Sequence, residues 1–442
     1  MNTRENTNIR NTTLAACIAL LISCLSIGCQ SFTPPLNDTQ QQTVHPNLNN
    51  PNKYVMAYFP EWGGIYGDYT VADIPAQNLT HIFYAFAKLH ADGSVTVDSK
   101  EKALDHIYPV DKGTPGVRGH LNQLIELKKQ YPHLKTLISI GGWELSMHFS
   151  SLATTEQGRQ TLAQNAVEFM RKYQFDGIDI DWEFPVSGSK YKDKQRPEDK
   201  QNFTLLMQDI RDEMDRFQSQ DQKQYLLTAA VTVGVFRQKH LELEKLANIF
   251  DFVNVMVYDM HGRWVKDQTG HLSALYPSSA AGGINQNING DNGIQGYLTR
   301  GFKPEQVMMG APLYAAGWRG VSHKDNGISQ PAKSLAFGVT EHKGYWEWRS
   351  IVKLLLEDRS HEFQLKLDPE AKAAYVWAPT VDGGTWITCP SRESFQAKID
   401  YVNQHNLGGM FFWDVSNDLN DQSHPQALIN FTADQLLRNK QP

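Results

Sequence analysis

Asp176-Gly177-Ile178-Asp179-Ile180-Asp181-Trp182-Glu183 has the alternation of a β-strand with two very different faces. Successive side chains of a strand point to opposite sides. Ile178, Ile180 and Trp182 therefore share one face, and Asp179, Asp181 and Glu183 share the other. The apolar face suits packing against outer helices. The acidic face then looks into the interior of a closed barrel, toward its C-terminal mouth.

Two plainer readings compete with this one. A calcium loop also reads Asp-x-Asp-x-Glu, but such loops want a mid-loop turn glycine and polar spacers, not Ile and Trp. A solvated edge strand would turn the carboxylates outward, yet the interleaved residues are strand formers that want burial.

The flanking sequence repeats the strand pattern. Short apolar runs occupy 55–59, 81–87, 135–139, 177–182, 226–231, 252–257, 306–311 and 409–413. Amphipathic helical stretches fall between several of them, at 121–130, 156–173, 199–218, 241–247, 294–299 and 394–405. Alternating strands and helices imply a parallel sheet, and eight such units imply a (β/α)8 TIM barrel. Two connections are too long for simple loops, 261–291 and roughly 315–386. The second holds its own apolar alternation, as in Ala374-Tyr375-Val376-Trp377-Ala378, and predicts a small α+β insertion between strands seven and eight. The barrel is then expected over 54–314 and 387–436, with the insertion at 315–386.

Residues 1–29 look like a targeting segment. Arg4 and Arg10 precede an apolar run at 14–27, which is short for a membrane span and fits a signal peptide. Ser26-Ile27-Gly28-Cys29 resembles the cleavage box of bacterial lipoproteins, with Ser26 standing where that box usually has Leu, Val or Ile. Residues 30–53, rich in Asn, Gln, Thr and Pro, read as a flexible linker. The expectation is export across the inner membrane. A lipid anchor at Cys29 would hold the chain at the outer membrane or cell surface; without it the protein would be extracellular or periplasmic. Cys17 and Cys24 would leave with the signal, so only Cys29 and Cys389 remain, and no disulfide is expected. Cys389 reads as a small buried hydrophobe.

The net charge of -6, with no stripe of Lys and Arg, argues against a nucleic-acid partner. His106, His120, His133 and His148 are scattered and match no metal-ligand spacing, so no metal is expected. Neither a phosphate-cradling glycine loop nor a GxSxG elbow occurs, and no cofactor is expected. Three carboxylates on one inward face repel one another and lose hydration. At least one pKa must rise, which leaves a carboxyl protonated near neutral pH. A neutral carboxylic acid beside ionised ones is what glycoside cleavage needs.

Segment 176–183 resembles in full the DGxDxDWE signature of family 18 chitinases. Other motifs follow in the family's order. Ser139-Ile140-Gly141-Gly142-Trp143 resembles the SxGG element after strand three. Met256-Val257-Tyr258-Asp259 resembles the MxYD element on strand six. Met309-Gly310-Ala311-Pro312-Leu313-Tyr314 resembles the strand-seven segment, and Gly408-Gly409-Met410-Phe411-Phe412-Trp413 the final strand. The resemblance covers about 54–417, and the insertion is similar to the α+β domain of deep-cleft bacterial members.

The resemblance implies a retaining chitinase that cuts β-1,4 bonds between N-acetylglucosamine units and takes its nucleophile from the substrate's own acetamido group. Glu183 would be the acid, Asp181 would hold the acetamido N–H, Asp179 would share a proton with Asp181, and Tyr258 would position the acetamido oxygen. Asp259 and Met256 would meet the distorted sugar, and Tyr58 and Ser139 would support Asp179. Trp413 would floor the reacting sugar. Phe184-Pro185 follows the glutamate where the family often has Tyr, so one hydroxyl contact is missing here. The partner would be chitin or its oligosaccharides, and the chain a monomer. Relatives on the same barrel that only bind chitin usually lack the acid glutamate; others cut N-glycans or peptidoglycan.

Trp62, Trp143, Trp264 and Trp318 each follow a strand or motif on the mouth side and are expected sugar contacts. Trp348 and Trp377 are expected in the core of the insertion, and Trp182 in packing.

Overall fold

The alternation that separates Ile178 and Ile180 from Asp179 and Asp181 operates on every strand of the sheet, and it divides the apolar side chains into two cores. The computed structural model describes residues 50–108, 118–280, 284–339 and 342–438. Eight parallel strands close on themselves: Tyr54–Pro60, His81–Leu89, Lys135–Gly141, Gly177–Asp181, Leu226–Thr232, Phe252–Met256, Val307–Pro312 and Gly409–Trp413. They are numbered one to eight below. The expected (β/α)8 barrel is the observed fold. A short antiparallel strand, Val95–Val97, is added to strand two.

Val55, Ala57 and Phe59 of strand one, with Ile178, Ile180 and Trp182 around strand four, belong to the outer core beneath the helices. Met56 and Tyr58 join Phe83, Leu137, Phe252, Met308 and Phe411 inside the barrel. Trp182 is packing, as expected. Its ring stacks on Phe149 at 5.3 Å and lies 5.9 Å from Phe203. Each such fully buried side chain as Ile180 contributes roughly 1.5–3 kcal/mol.

Helices Glu156–Lys172 and Asp199–Asp221 pack side by side over this face. The first is capped by Thr155, whose hydroxyl accepts from Gly158 N at 3.1 Å. Asp176 sits below the cleft, where it pairs with Lys128 at 2.9 Å and Lys223 at 2.8 Å and accepts from Thr136 N at 2.8 Å. It fastens the base of strand four to its neighbours. Gly177 is required there because a Cβ would meet the Leu226 carbonyl at 2.2 Å. A further helix, Leu428–Leu436, was not foreseen from sequence. Its first N–H groups, on Leu428 and Ile429, donate to the Asp418 carboxylate at 3.1 and 2.9 Å.

The segment after strand seven forms an antiparallel sheet of six strands. Its path runs Ser334–Leu335, Tyr314–Arg319, Thr385–Cys389, Ala373–Ala378 and Gln364–Asp368, and Tyr345–Glu347 also pairs with Tyr314–Arg319. The last strand of this sheet ends at Cys389, beyond the 386 expected from sequence. Cys389 is buried and free of disulfides. Trp377 lies in the core of this sheet with Tyr375 and Trp386, whereas Trp348 joins the outer barrel core. Within the connection after strand six, His271 and Leu272 meet the same sheet: Leu272 N donates to Thr388 Oγ1 at 3.1 Å, and buried His271 meets Asp368 at 3.0 Å. Among the described residues no helix is long and apolar enough to cross a membrane.

Candidate active site

Parallel register aligns three inward-facing residues in one layer: Ser139 of strand three and Thr228 of strand five both lie beside Asp179 of strand four. Asp179 is completely buried, and three hydroxyls donate to it. Thr228 reaches Oδ1 at 2.6 Å, while Ser139 and Tyr58 reach Oδ2 at 2.8 and 2.9 Å. Tyr58 in turn accepts from Asn254 Nδ2 of strand six at 3.1 Å. Burial raises the Asp179 pKa and the three hydroxyl donors oppose the rise.

Asp181, one layer higher, is also buried, and its Oδ1 has no hydrogen-bond partner. Its pKa is raised well above the ordinary value, first by burial and then by the charges of Glu183 and Asp179. Glu183 is at the top of the stack and partly open to the cleft. Burial of its carboxyl, with the Asp259 charge second, pushes its pKa to about 8, against the opposing pull of Arg237 and the Trp143 N–H. A carboxyl in this state is protonated at neutral pH and open to a ligand.

The backbone around Glu183 is fixed by the turn after strand three. Ser146 Oγ accepts from Glu183 N at 3.0 Å and donates toward Gly142 O at 2.8 Å, and Gly142 N donates to Asp181 O at 2.7 Å. Gly141, at φ +114°, could carry no Cβ, which would stand 2.3 Å from Asp181 O. A Cβ on Gly142, at φ +86°, would meet the Phe86 ring at 2.7 Å, so the two glycines are required for different reasons. Non-proline cis peptides occur at Ala85–Phe86, Glu183–Phe184 and Trp413–Asp414.

Tyr258 is buried at the end of strand six, its hydroxyl pKa raised by burial and by Asp181, Asp259, Glu183 and Asp179. Asp259 follows at φ +52° and accepts from Tyr314 OH at 2.6 Å. Met256 is half-buried against the inner core. Trp413 is half-buried at the cleft floor. It stacks on Phe86 at 5.6 Å, with Tyr58 at 5.6 Å and Trp62 at 6.2 Å. Trp62 and Trp143 are each 44% exposed and Trp264 is 59% exposed, as faces available to a sugar must be.

Trp318 corrects the sequence expectation. It is completely buried, 5.9 Å from Trp386, and its Nε1 donates to Val265 O at 2.7 Å. The chain leaves strand seven directly into another strand, so Trp318 falls on the inner face of the inserted sheet and not on a loop.

Thr228, Asn254, Ser146, Phe86, Tyr314 and Arg237 belong to the site and were not assigned to it from sequence. Thr228 and Asn254 carried a usable signal: each is a polar residue at an inward position of a mostly apolar strand, strand five holding Thr232 on the same face. Among the described residues, no group of His, Cys, Asp and Glu could hold a metal ion.

A model of the glycosyl hydrolases family 18 matches residues 54–418, a span that includes every strand of the barrel and the whole carboxylate stack. The chain belongs to glycosyl hydrolase family 18. It is 32% identical to Chitinase A1 of Niallia circulans over 399 residues, covering 83% of this chain and 56% of that one. It is 32% identical to Chitinase A of Pseudoalteromonas piscicida over 438 residues, covering 86% and 53%. This family 18 chain thus spans about half the length of these two relatives. The solved structure of chitinase ChiA74 from Bacillus thuringiensis superposes with a TM-score of 0.78 at 31% identity, over 87% of this chain and 69% of that one. The matched span holds both the carboxylate stack of strand four and the glycine pair whose turn holds Glu183.

Proposed function

We propose that this protein is a chitinase that hydrolyses β-1,4 bonds between N-acetylglucosamine units, with retention at the anomeric carbon and with the substrate's acetamido group as nucleophile. The observation that carries this is the carboxylate stack: a protonated Glu183 above buried Asp181, with Asp179 beneath held by three hydroxyls. Glu183 gives its proton to the glycosidic oxygen as the C1–O bond breaks. The acetamido carbonyl oxygen attacks C1 and forms an oxazolinium ion, while Tyr258 keeps that oxygen in line. The unpartnered Oδ1 of Asp181 accepts the acetamido N–H, and its charge offsets the positive ring. Asp181, which burial and its acidic neighbours favour in the protonated form, passes its proton to Asp179 and so becomes the carboxylate that faces the ring. A water then attacks C1, giving a proton to the Glu183 carboxylate, and displaces the acetamido oxygen so that the C1–O bond of the oxazolinium ring breaks and the acetamido group is restored. Trp413 floors the reacting sugar, and Trp62, Trp143 and Trp264 receive its neighbours. Asp259 and Met256 line the same subsite.

The test is hydrolysis of the chitin hexasaccharide followed by proton NMR. The new reducing ends are expected to be β-anomers before mutarotation; α-anomers at the first time point would overturn retention.

The same proposal places the protein outside the cytoplasm as a monomer, exported by residues 1–29 and tethered through a lipidated Cys29; these residues lie outside those described. Metabolic labelling with a fatty acid should mark the protein and fail to mark a Cys29→Ser variant. Equal labelling of both, or none of either, would remove the anchor.

A further inference from the structure

Strand six ends at Met256, and Tyr258 and Asp259 follow it as irregular backbone. Asp259 is left-handed, at φ +52°. A residue other than glycine is strained there and stays only where its surroundings fix it. Two adjacent residues of a distant loop, Leu272 and Ser273, do so. On one side of the Tyr258–Asp259 pair, the Ser273 hydroxyl donates to Val257 O. On the other side, Met260 N donates to Leu272 O at 3.1 Å. The pair is thus gripped from both flanks.

The gripping residues are themselves held. Besides the bond from Leu272 N to Thr388, Nζ of Lys398 donates to Ser273 O at 3.2 Å. Lys398 belongs to the helix Arg392–Gln404, which precedes strand eight, and it is only 2% exposed. Burial lowers its pKa to about 8, and among the described residues no carboxylate pairs with it. A buried ammonium is costly to fold, and a methionine would fill much the same volume without that cost. Here the ammonium is directed at one backbone carbonyl, in the residue whose hydroxyl holds Val257. Such a charge-assisted bond is stronger than a neutral one. A continuous chain of contacts therefore runs from the helix before strand eight, through Lys398 and Ser273, to the residue next to Tyr258.

We propose that Lys398 and Ser273 are positioning residues: Lys398 fixes Ser273, Ser273 fixes Val257, and the Tyr258 hydroxyl is thereby held where it aligns the acetamido oxygen of the substrate. This rests on the chitinase reading.

The test measures kcat and KM on the chitin hexasaccharide for Lys398→Met, Ser273→Ala and Ser273→Thr, each made in the unaltered protein and together with Tyr258→Phe. Lys398→Met should lower kcat by about tenfold and leave KM within about twofold, since a small misplacement of an aligning group slows the reaction more than it weakens binding. Ser273→Ala should lower kcat by about fivefold, and Ser273→Thr, which keeps the hydroxyl, should bring it back to within about twofold. In the Tyr258→Phe background both losses should shrink to within about twofold, because the hydroxyl they position is gone. General structural damage would instead lower kcat by the same factor in both backgrounds. That result, or an unchanged kcat in either variant, would overturn the proposal. If Lys398→Met does not fold, the Ser273 variants decide it alone. If the unaltered protein does not cleave the hexasaccharide, the hydrolase reading fails and takes this proposal with it.

Discussion

Replacing Glu183 with glutamine should lower kcat on chitin oligosaccharides by roughly 10²- to 10⁴-fold, the usual contribution of a positioned general acid. The expected binding affinity, measured by calorimetry, stays within a few-fold of the original. Glutamine keeps the shape of the side chain and an acceptor for the Trp143 N–H, but it has no proton to give. The wild-type pH profile carries the same information. The Glu183 pKa is raised from 4.5 to about 8, chiefly by burial. The acid is therefore present below that pH, and kcat/KM should fall as pH rises through it. Because Glu183 and Asp181 interact strongly, this limb belongs to the pair. It should vanish from the residual activity of Glu183→Gln. A variant with near-original turnover would remove Glu183 from the role of acid.

Three stacked carboxyl groups inside a barrel are costly to fold. The structure meets that cost unevenly. Asp179 is surrounded by donors from strands one, three and five, whereas Asp181 keeps an unpartnered oxygen. Uneven satisfaction is what a site needs if one member must stay ready for a ligand donor. Tyr58, Ser139 and Thr228 serve Asp179 first, and through it hold Asp181 between two acids of different character.

Much of this was legible in the sequence because alternation is local. Ile178, Asp179, Ile180, Asp181 and Trp182 declare two faces without any knowledge of the rest of the chain. The eight barrel strands were visible for the same reason, as apolar runs of the right length. Thr228 and Asn254 were not assigned, since a single polar residue in a strand gains meaning only once the register places it beside Asp179 or Tyr58. Helix Leu428–Leu436 was missed because its N-terminal partner is the distant side chain of Asp418 and not an adjacent capping residue. Trp318 misled because an aromatic just past a strand motif looks the same whether the chain next enters a loop or a second sheet. Arg237 is visible only in three dimensions, where it lies over Phe184, the neighbour of Glu183.

The second large effect concerns the substrate itself. Strand four supplies an acid and two aspartates, and none of the three is assigned as a protein nucleophile. In the proposed mechanism the attacking atom is the acetamido oxygen of the sugar, held by Tyr258 and Asp181. An attached, oriented nucleophile is worth an effective concentration of roughly 10⁵–10⁸ M. Removing it should cost at least about 10³-fold in rate even if the sugar chain still binds. The decisive measurement is kcat/KM on two hexasaccharides of equal length, one fully acetylated and one fully deacetylated, at the same pH. The expected result is cleavage of the acetylated chain alone, with the deacetylated chain slower by at least about 10³-fold. Cleavage of both within tenfold would contradict the assignment of the acetamido group as nucleophile.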